Sequence, residues 1–124
     1  MVILHTRSRR KPTSGLYRTH RKKKSYEVGR EFTKTTIGEK KVRVVRGLGG
    51  NTKIALRQDT KVNVISKGKS KVETVSKVVE NKANLQFIRS GIVTKGAVVE
   101  TKAGKVKITS RPGQDGVLNG VVVE

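Results

Sequence analysis

The sequence predicts a mainly β chain: a small single-domain β-barrel with one short helix and an extended basic N-terminal arm. Three observations predict it. The apolar residues are largely aliphatic, with only Tyr17, Tyr26, Phe32 and Phe87 as aromatics, and a core rich in Val and Ile suits the pleated surface of strands. Alternating apolar runs are broken by Gly, Pro, Asn or Asp about every ten residues, the rhythm of a small barrel or sandwich. Residues 7 to 24 carry nine Lys or Arg and no acid, and only Leu16 and Tyr17 are bulky and apolar. That stretch cannot bury enough surface to offset its chain entropy, and its charges repel. The 124 residues thus divide into an arm, residues 1–24, expected to be disordered when free, and a barrel-like domain, residues 25–124, long enough for one small core.

The elements follow in order. Ser25 to Thr33 reads as the first strand, with Tyr26, Val28 and Phe32 facing inward and Gly29 at a bulge or close approach. Lys34 to Gly38 reads as a loop. Lys41 to Arg46 alternates, placing Val42 and Val44 on one side and Lys41, Arg43 and Val45 on the other. Gly47 to Asn51 is a tight turn, and Thr52 to Arg57 resumes the alternation with Ile54 and Leu56 opposite Lys53 and Arg57. Asp59 to Ser66 is a strand, Lys67 to Ser70 a turn, and Val72 to Val79 a further strand. Asn81 is placed to cap a helix through Arg89, with Leu85 and Ile88 on its apolar side and Gly91 as its stop. Ala97 to Thr101 and Lys105 to Ser110 form a hairpin around Lys102-Ala103-Gly104. Pro112-Gly113 fits a type II turn and Asp115-Gly116 another. Val117 to Val123 closes the chain as an apolar strand.

Lys plus Arg number 29 against 9 acids, a net charge of +20. Such a balance favours a polyanionic partner, and nucleic acid above all. The charge is uneven: residues 1 to 57 carry a net +14 and residues 58 to 124 a net +6. The first half is therefore read as the binding half. The arm cations are Arg7, Arg9, Arg10, Lys11, Arg18, Arg21, Lys22, Lys23 and Lys24, followed by Arg30. Pro12 and Gly15 interrupt any continuous basic helix of the kind that forks across DNA. A second cluster, Lys40, Lys41, Arg43, Arg46, Lys53 and Arg57, lies on adjacent predicted strands; its plain alternative is a solubilising outer face. Arg111, on the Pro-Gly turn, is the candidate from the C-terminal half, or else an exposed turn residue. Arg supplies a planar fork for phosphate, Lys a point charge. Tyr17 either stacks on a base or anchors the arm to the domain.

Other chemistry finds little support. There is no cysteine, which excludes disulfides and thiolate metal sites. His5 and His20 have no acids beside them, so no metal or cofactor site is expected, and they read as polar arm residues or phosphate and base contacts. The acids are scattered singly, and no nucleophile, base and orienter can be placed. Gly47 to Lys53 lacks the Walker A ending, and Gly68-Lys69-Ser70 lacks its first glycine. Sparse aromatics argue against base stacking on a sheet face. Val2 to Leu4 is too short for a signal peptide and no run reaches transmembrane length, so a soluble intracellular protein is expected.

Several segments carry a resemblance. Arg7-Ser8-Arg9-Arg10-Lys11-Pro12-Thr13, the basic run into Lys24-Ser25-Tyr26-Glu27-Val28-Gly29-Arg30, Gly49-Gly50-Asn51-Thr52-Lys53, Thr94 to Thr101, and Thr109-Ser110-Arg111-Pro112-Gly113-Gln114-Asp115-Gly116 with the terminal Val run resemble the small-subunit ribosomal protein eight-e family of archaea and eukaryotes. The match runs in order over nearly the whole chain. The compact length is similar to archaeal members, which lack the long insertion of eukaryotic ones. The resemblance implies a structural, non-enzymatic constituent of the small ribosomal subunit in the cytoplasm. Its partners would be 16S-type ribosomal RNA and neighbouring ribosomal proteins, without membrane, small-molecule substrate or homo-oligomer. Arm and barrel face would contact phosphates and release counterions, with RNA shape supplying specificity. Two positions depart from the pattern. Ser14 replaces an expected Gly, limiting the arm's backbone freedom, and Ile54 replaces a common basic residue and is expected to join the core. The alternatives are a general architectural nucleic-acid-binding protein or a ribosome-assembly factor sharing the C-terminal β portion.

Overall fold

The computed structural model describes residues 3–4, 6–66 and 68–123, with only the backbone for Ile3 and Leu4. The expectations for His5 and Lys67 lie outside the described residues. The chain forms two compact units, Met1–Phe32 and Thr33–Glu124.

In the first unit, β1 (Ile3–Leu4) pairs antiparallel with β2 (Val28–Gly29). The segment between them folds back on itself. Arg10 bridges Leu16, the Lys11 N–H donates to the Gly15 carbonyl at 2.8 Å, and the Tyr17 N–H donates to the Arg9 carbonyl at 2.9 Å. Ser14 takes the tip at φ 64°, a left-handed conformation that Cβ disfavours. The strand expected over Ser25–Thr33 is reduced to β2, preceded by a 3-10 turn at Ser25–Glu27. Two causes act together. The Glu27 carboxylate accepts the Lys24 N–H at 3.0 Å, so a local turn competes with extension. The β1 partner offers only two residues. Tyr26, Val28 and Phe32, expected inward, are exposed.

In the second unit, β3 (Lys41–Arg46) and β4 (Thr52–Gln58) form a two-stranded hairpin. The closed barrel follows: β5 (Lys61–Ser66), β6 (Lys69–Glu80), β7 (Val98–Thr101), β8 (Gly104–Ile108) and β9 (Asn119–Val122). Consecutive strands pair antiparallel, and β5 closes the ring against β9 in parallel, with Val64 opposite Gly120. The alternation read from the sequence drives this closure: Val62, Val64, Val75, Val78, Val99, Val106 and Ile108 point inward, while Lys61, Asn63 and Lys107 point out. Leu56, Val93 and Leu118 complete a core without aromatics. Gly120 is required by a close approach, since a Cβ there would overlap Cγ1 of Val106 and stand 3.0 Å from the Lys107 carbonyl oxygen.

The connections differ from expectation in three places. Residues 34–38 are more than a loop. The buried Thr35 hydroxyl donates to the Leu56 carbonyl at 2.7 Å, and the Val93 N–H donates to the Thr35 carbonyl at 2.8 Å, so this segment ties the hairpin to the barrel. The expected helix from Asn81 is a single turn, α1 (Gln86–Arg89). Asn81 is buried instead; its amide donates to the Ile92 carbonyl at 3.1 Å and accepts from Thr94 at 3.0 Å. Asn84 accepts the Gln86 N–H in its place, Leu85 is left exposed, and Gly91 ends the turn at φ 60° as expected. Pro112-Gly113 opens a one-turn helix, α2 (Pro112–Asp115), rather than a type II turn. Proline is preorganised for that first position, the Asp115 carboxylate accepts the Arg111 N–H at 2.7 Å, and Gly116 terminates it at φ 70°.

Candidate nucleic-acid interface

All the predicted contact residues are exposed. The first unit gathers six of them. Arg7, Arg9, Arg18, Arg21, Lys22 and Lys23, with Tyr17 and Glu27, line one concavity of about 410 Å³. Its cationic walls crowd because the Arg10–Leu16 turn brings the two halves of the arm side by side. Tyr17 takes a third arrangement beyond the two expected. The Arg7 guanidinium lies 4.0 Å from its ring centroid and the Lys11 ammonium 5.4 Å. Such contacts contribute about 0.5–1 kcal/mol at exposed sites, enough to bias a short turn but not to fold an isolated arm.

Besides Arg7 and Lys11, two further arm cations carry a second duty. The Arg10 guanidinium donates to the Ser14 carbonyl at 3.1 Å, clamping the tip. Arg21 pairs with Glu27, which holds the guanidinium protonated even more firmly than usual. The Glu27 carboxyl is held below the ordinary glutamate range, first by the Lys24 N–H and next by the Arg21 guanidinium. The remaining arm candidates, together with Arg30 just beyond β2, present their charges to solvent.

In the second unit the hairpin divides the second cluster. The register places Arg43 opposite Ala55 and Val45 opposite Lys53, so Arg43 and Lys53 share a face. Arg46 lies on the other face with Val44 and Ile54, which are exposed. Ile54 therefore does not join the core; it packs at the α2 turn, where a Cβ on Gly116 would overlap its Cγ2. A register shift between Lys41 and Val42 sets Lys41 opposite Gln58 and leaves Arg57 as the extra residue. The Arg57 carbonyl accepts the Thr36 N–H at 2.9 Å while its side chain stays exposed. Arg111 caps α2, and that turn bridges to β4 through Asp115 and Ile54, carrying Arg111 to the hairpin.

The hydroxyls of Thr6, Ser8 and Thr19 also line the arm concavity. Charge alone does not single them out; their interleaving with Arg and Lys is the signal in the sequence that marks them. Among the described residues, no group of three or more His, Cys, Asp or Glu is placed to hold a metal ion. No helix there is long and apolar enough to cross a membrane.

The chain matches the family model for ribosomal protein S8e over residues 4–123. It is 50% identical over 120 residues to a protein named small ribosomal subunit protein eS8 in Nanoarchaeum equitans, covering 95% of this chain and 94% of that one. Proteins of the same name in Methanobrevibacter smithii and Methanocorpusculum labreanum are 43% and 44% identical over 125 residues, each covering 99% of this chain and the whole of the relative.

Proposed function

Because the chain belongs to the ribosomal protein S8e family, we propose that it is a structural constituent of the small ribosomal subunit, in the cytoplasm, that binds ribosomal RNA through its basic arm and the basic β3–β4 hairpin. The observation that carries the RNA reading is the arm concavity, where six Lys or Arg side chains converge and Glu27 is the one acid among them. Closely set cations of this kind repel one another and are relieved by phosphates that approach from several directions, releasing counterions. Arm residues 1–24 complete their order on the RNA, since the contacts within the turn are few and exposed. Hairpin and arm both offer backbone-directed contacts, so recognition rests on RNA shape more than on base edges. The role is non-enzymatic, and the other partners are neighbouring ribosomal proteins.

Sedimentation of a tagged copy from lysate at moderate and high salt, with sequencing of the retained RNA, tests the proposal. Co-sedimentation with small-subunit particles and enrichment of one region of small-subunit RNA is the expected result. A slowly sedimenting protein carrying mixed RNA and DNA would replace it with a general architectural binder.

A further inference from the structure

We propose that Leu48 is an apolar wedge that inserts against an unstacked nucleobase of the bound RNA, a deepening that rests on the function proposed above. Leu48 is 96% exposed, the most exposed large apolar side chain among the described residues. It stands at the apex of the β3–β4 hairpin between Gly47 and Gly49, so neither chain neighbour has a side chain to shelter it. Its backbone is nonetheless hydrogen-bonded into a defined turn. The Gly47 N–H donates to the Asn51 carbonyl at 2.6 Å, and the Leu48 carbonyl accepts the Asn51 side-chain amide at 3.1 Å. Gly49 and Gly50 hold φ of 68° and 78°, conformations that other residues reach only with strain. The turn therefore presents Leu48 to solvent, where its apolar surface adds nothing to folding.

The surroundings select the occupant. Residues 40 to 58 contain six Lys or Arg and no acid, and Arg46 and Lys53 flank the turn, both exposed. A protein neighbour seated on the apex would bury these cations against a surface of mixed charge. An RNA segment supplies phosphates to both while offering a base face to the leucine. Apolar wedges flanked by cations are a recognised way to grip unstacked or kinked nucleic acid, and unstacked bases are what folded RNA exposes.

The chain has no tryptophan, so Leu48→Trp introduces a sole indole into the full-length protein. Bound to a small-subunit ribosomal RNA transcript, that indole is expected to be quenched and shielded from acrylamide. Leu48→Ser is expected to weaken binding by about tenfold, with the salt dependence and the melting temperature unchanged because the substitution removes neither a charge nor a buried side chain. An indole still open to acrylamide in the saturated complex, or a serine variant that binds as tightly as the parent, overturns the wedge. So does a serine variant that binds the transcript normally yet fails to join the particle, which assigns Leu48 to a protein neighbour. Should the parent itself show no preference for the transcript over random duplex, the proposed function falls and takes the wedge with it.

Discussion

The Arg21 guanidinium and the Glu27 carboxylate form an ion pair across the turn that leads from the arm into β2. The same carboxylate accepts the Lys24 N–H, and this backbone bond is the largest single influence that lowers its pKa, ahead of the hydrogen bond and charge of Arg21 and the nearby His20. The turn's stabilisation is therefore complete above the ordinary glutamate pKa and is lost as pH falls through the depressed value in the folded chain. A carboxyl NMR titration should show Glu27 titrating below the usual range. Arg21→Gln should return it only part of the way, because the Lys24 N–H remains. Full return would assign the shift to the ion pair alone.

Two glycines are predicted to fail for different reasons. Gly120→Ala forces a methyl into Val106 without backbone strain, an overpacking that costs about 1–3 kcal/mol. Adding Val106→Ala should recover much of it. Gly116→Ala meets Ile54 and must also hold φ at 70°, so Ile54→Ala should recover the steric part and leave about 1–2 kcal/mol of left-handed strain. Thermal melts of the four variants distinguish the cases. Equal recovery in both pairs would contradict the strain assigned to Gly116.

The barrel strands were legible because one face of each is buried, which imprints alternation on the sequence: Val62 and Val64 in β5, Val106 and Ile108 in β8. Exposed pairs defeat that reading. Val44 and Ile54 oppose each other in β3 and β4 yet lie outside the core, and Ile54, expected to join it, packs at the α2 turn instead. The Tyr26 to Phe32 stretch misled in the same way, its β-forming residues overruled by the Glu27 turn and a two-residue partner. Asn81 shows a third limit. A cap signal identifies a residue that satisfies backbone groups, but not which groups; here they are the Ala83 N–H two residues on and the Ile92 carbonyl beyond α1. For the interface, charge alone named the cations. Their convergence was hidden because it depends on a left-handed Ser14, a conformation the residue type does not announce.

That tip gives a charge-neutral test of arm geometry. Ser14 holds φ 64° and its N–H donates to the Lys11 carbonyl at 3.0 Å. Ser14→Pro removes the donor and fixes φ near −65°, so the turn must open. Ser14→Gly accepts the conformation and should keep it. In the proline variant, NMR is expected to show Arg10 and Leu16 separated, and ribosomal RNA should bind more weakly. The glycine variant should bind as the parent does. Equal binding by both would show that the folded tip is irrelevant to recognition.

Neutralising Arg9, Arg18, Lys22 and Lys23 to Gln should separate binding from folding. All four line the arm concavity and are exposed, and none is the clamp on Ser14 or the partner of Glu27. Each phosphate that the variant no longer neutralises should flatten the dependence of log affinity on log salt by about 0.7–0.9. The change in slope therefore gives the number of phosphates these four side chains engage, where a single affinity at one salt concentration cannot. The barrel's melting temperature should scarcely move, since its core of Leu56, Val62, Val99 and Val106 contains no arm residue. An unchanged slope in the quadruple variant would remove the arm from the interface and leave the β3–β4 hairpin as the binding element.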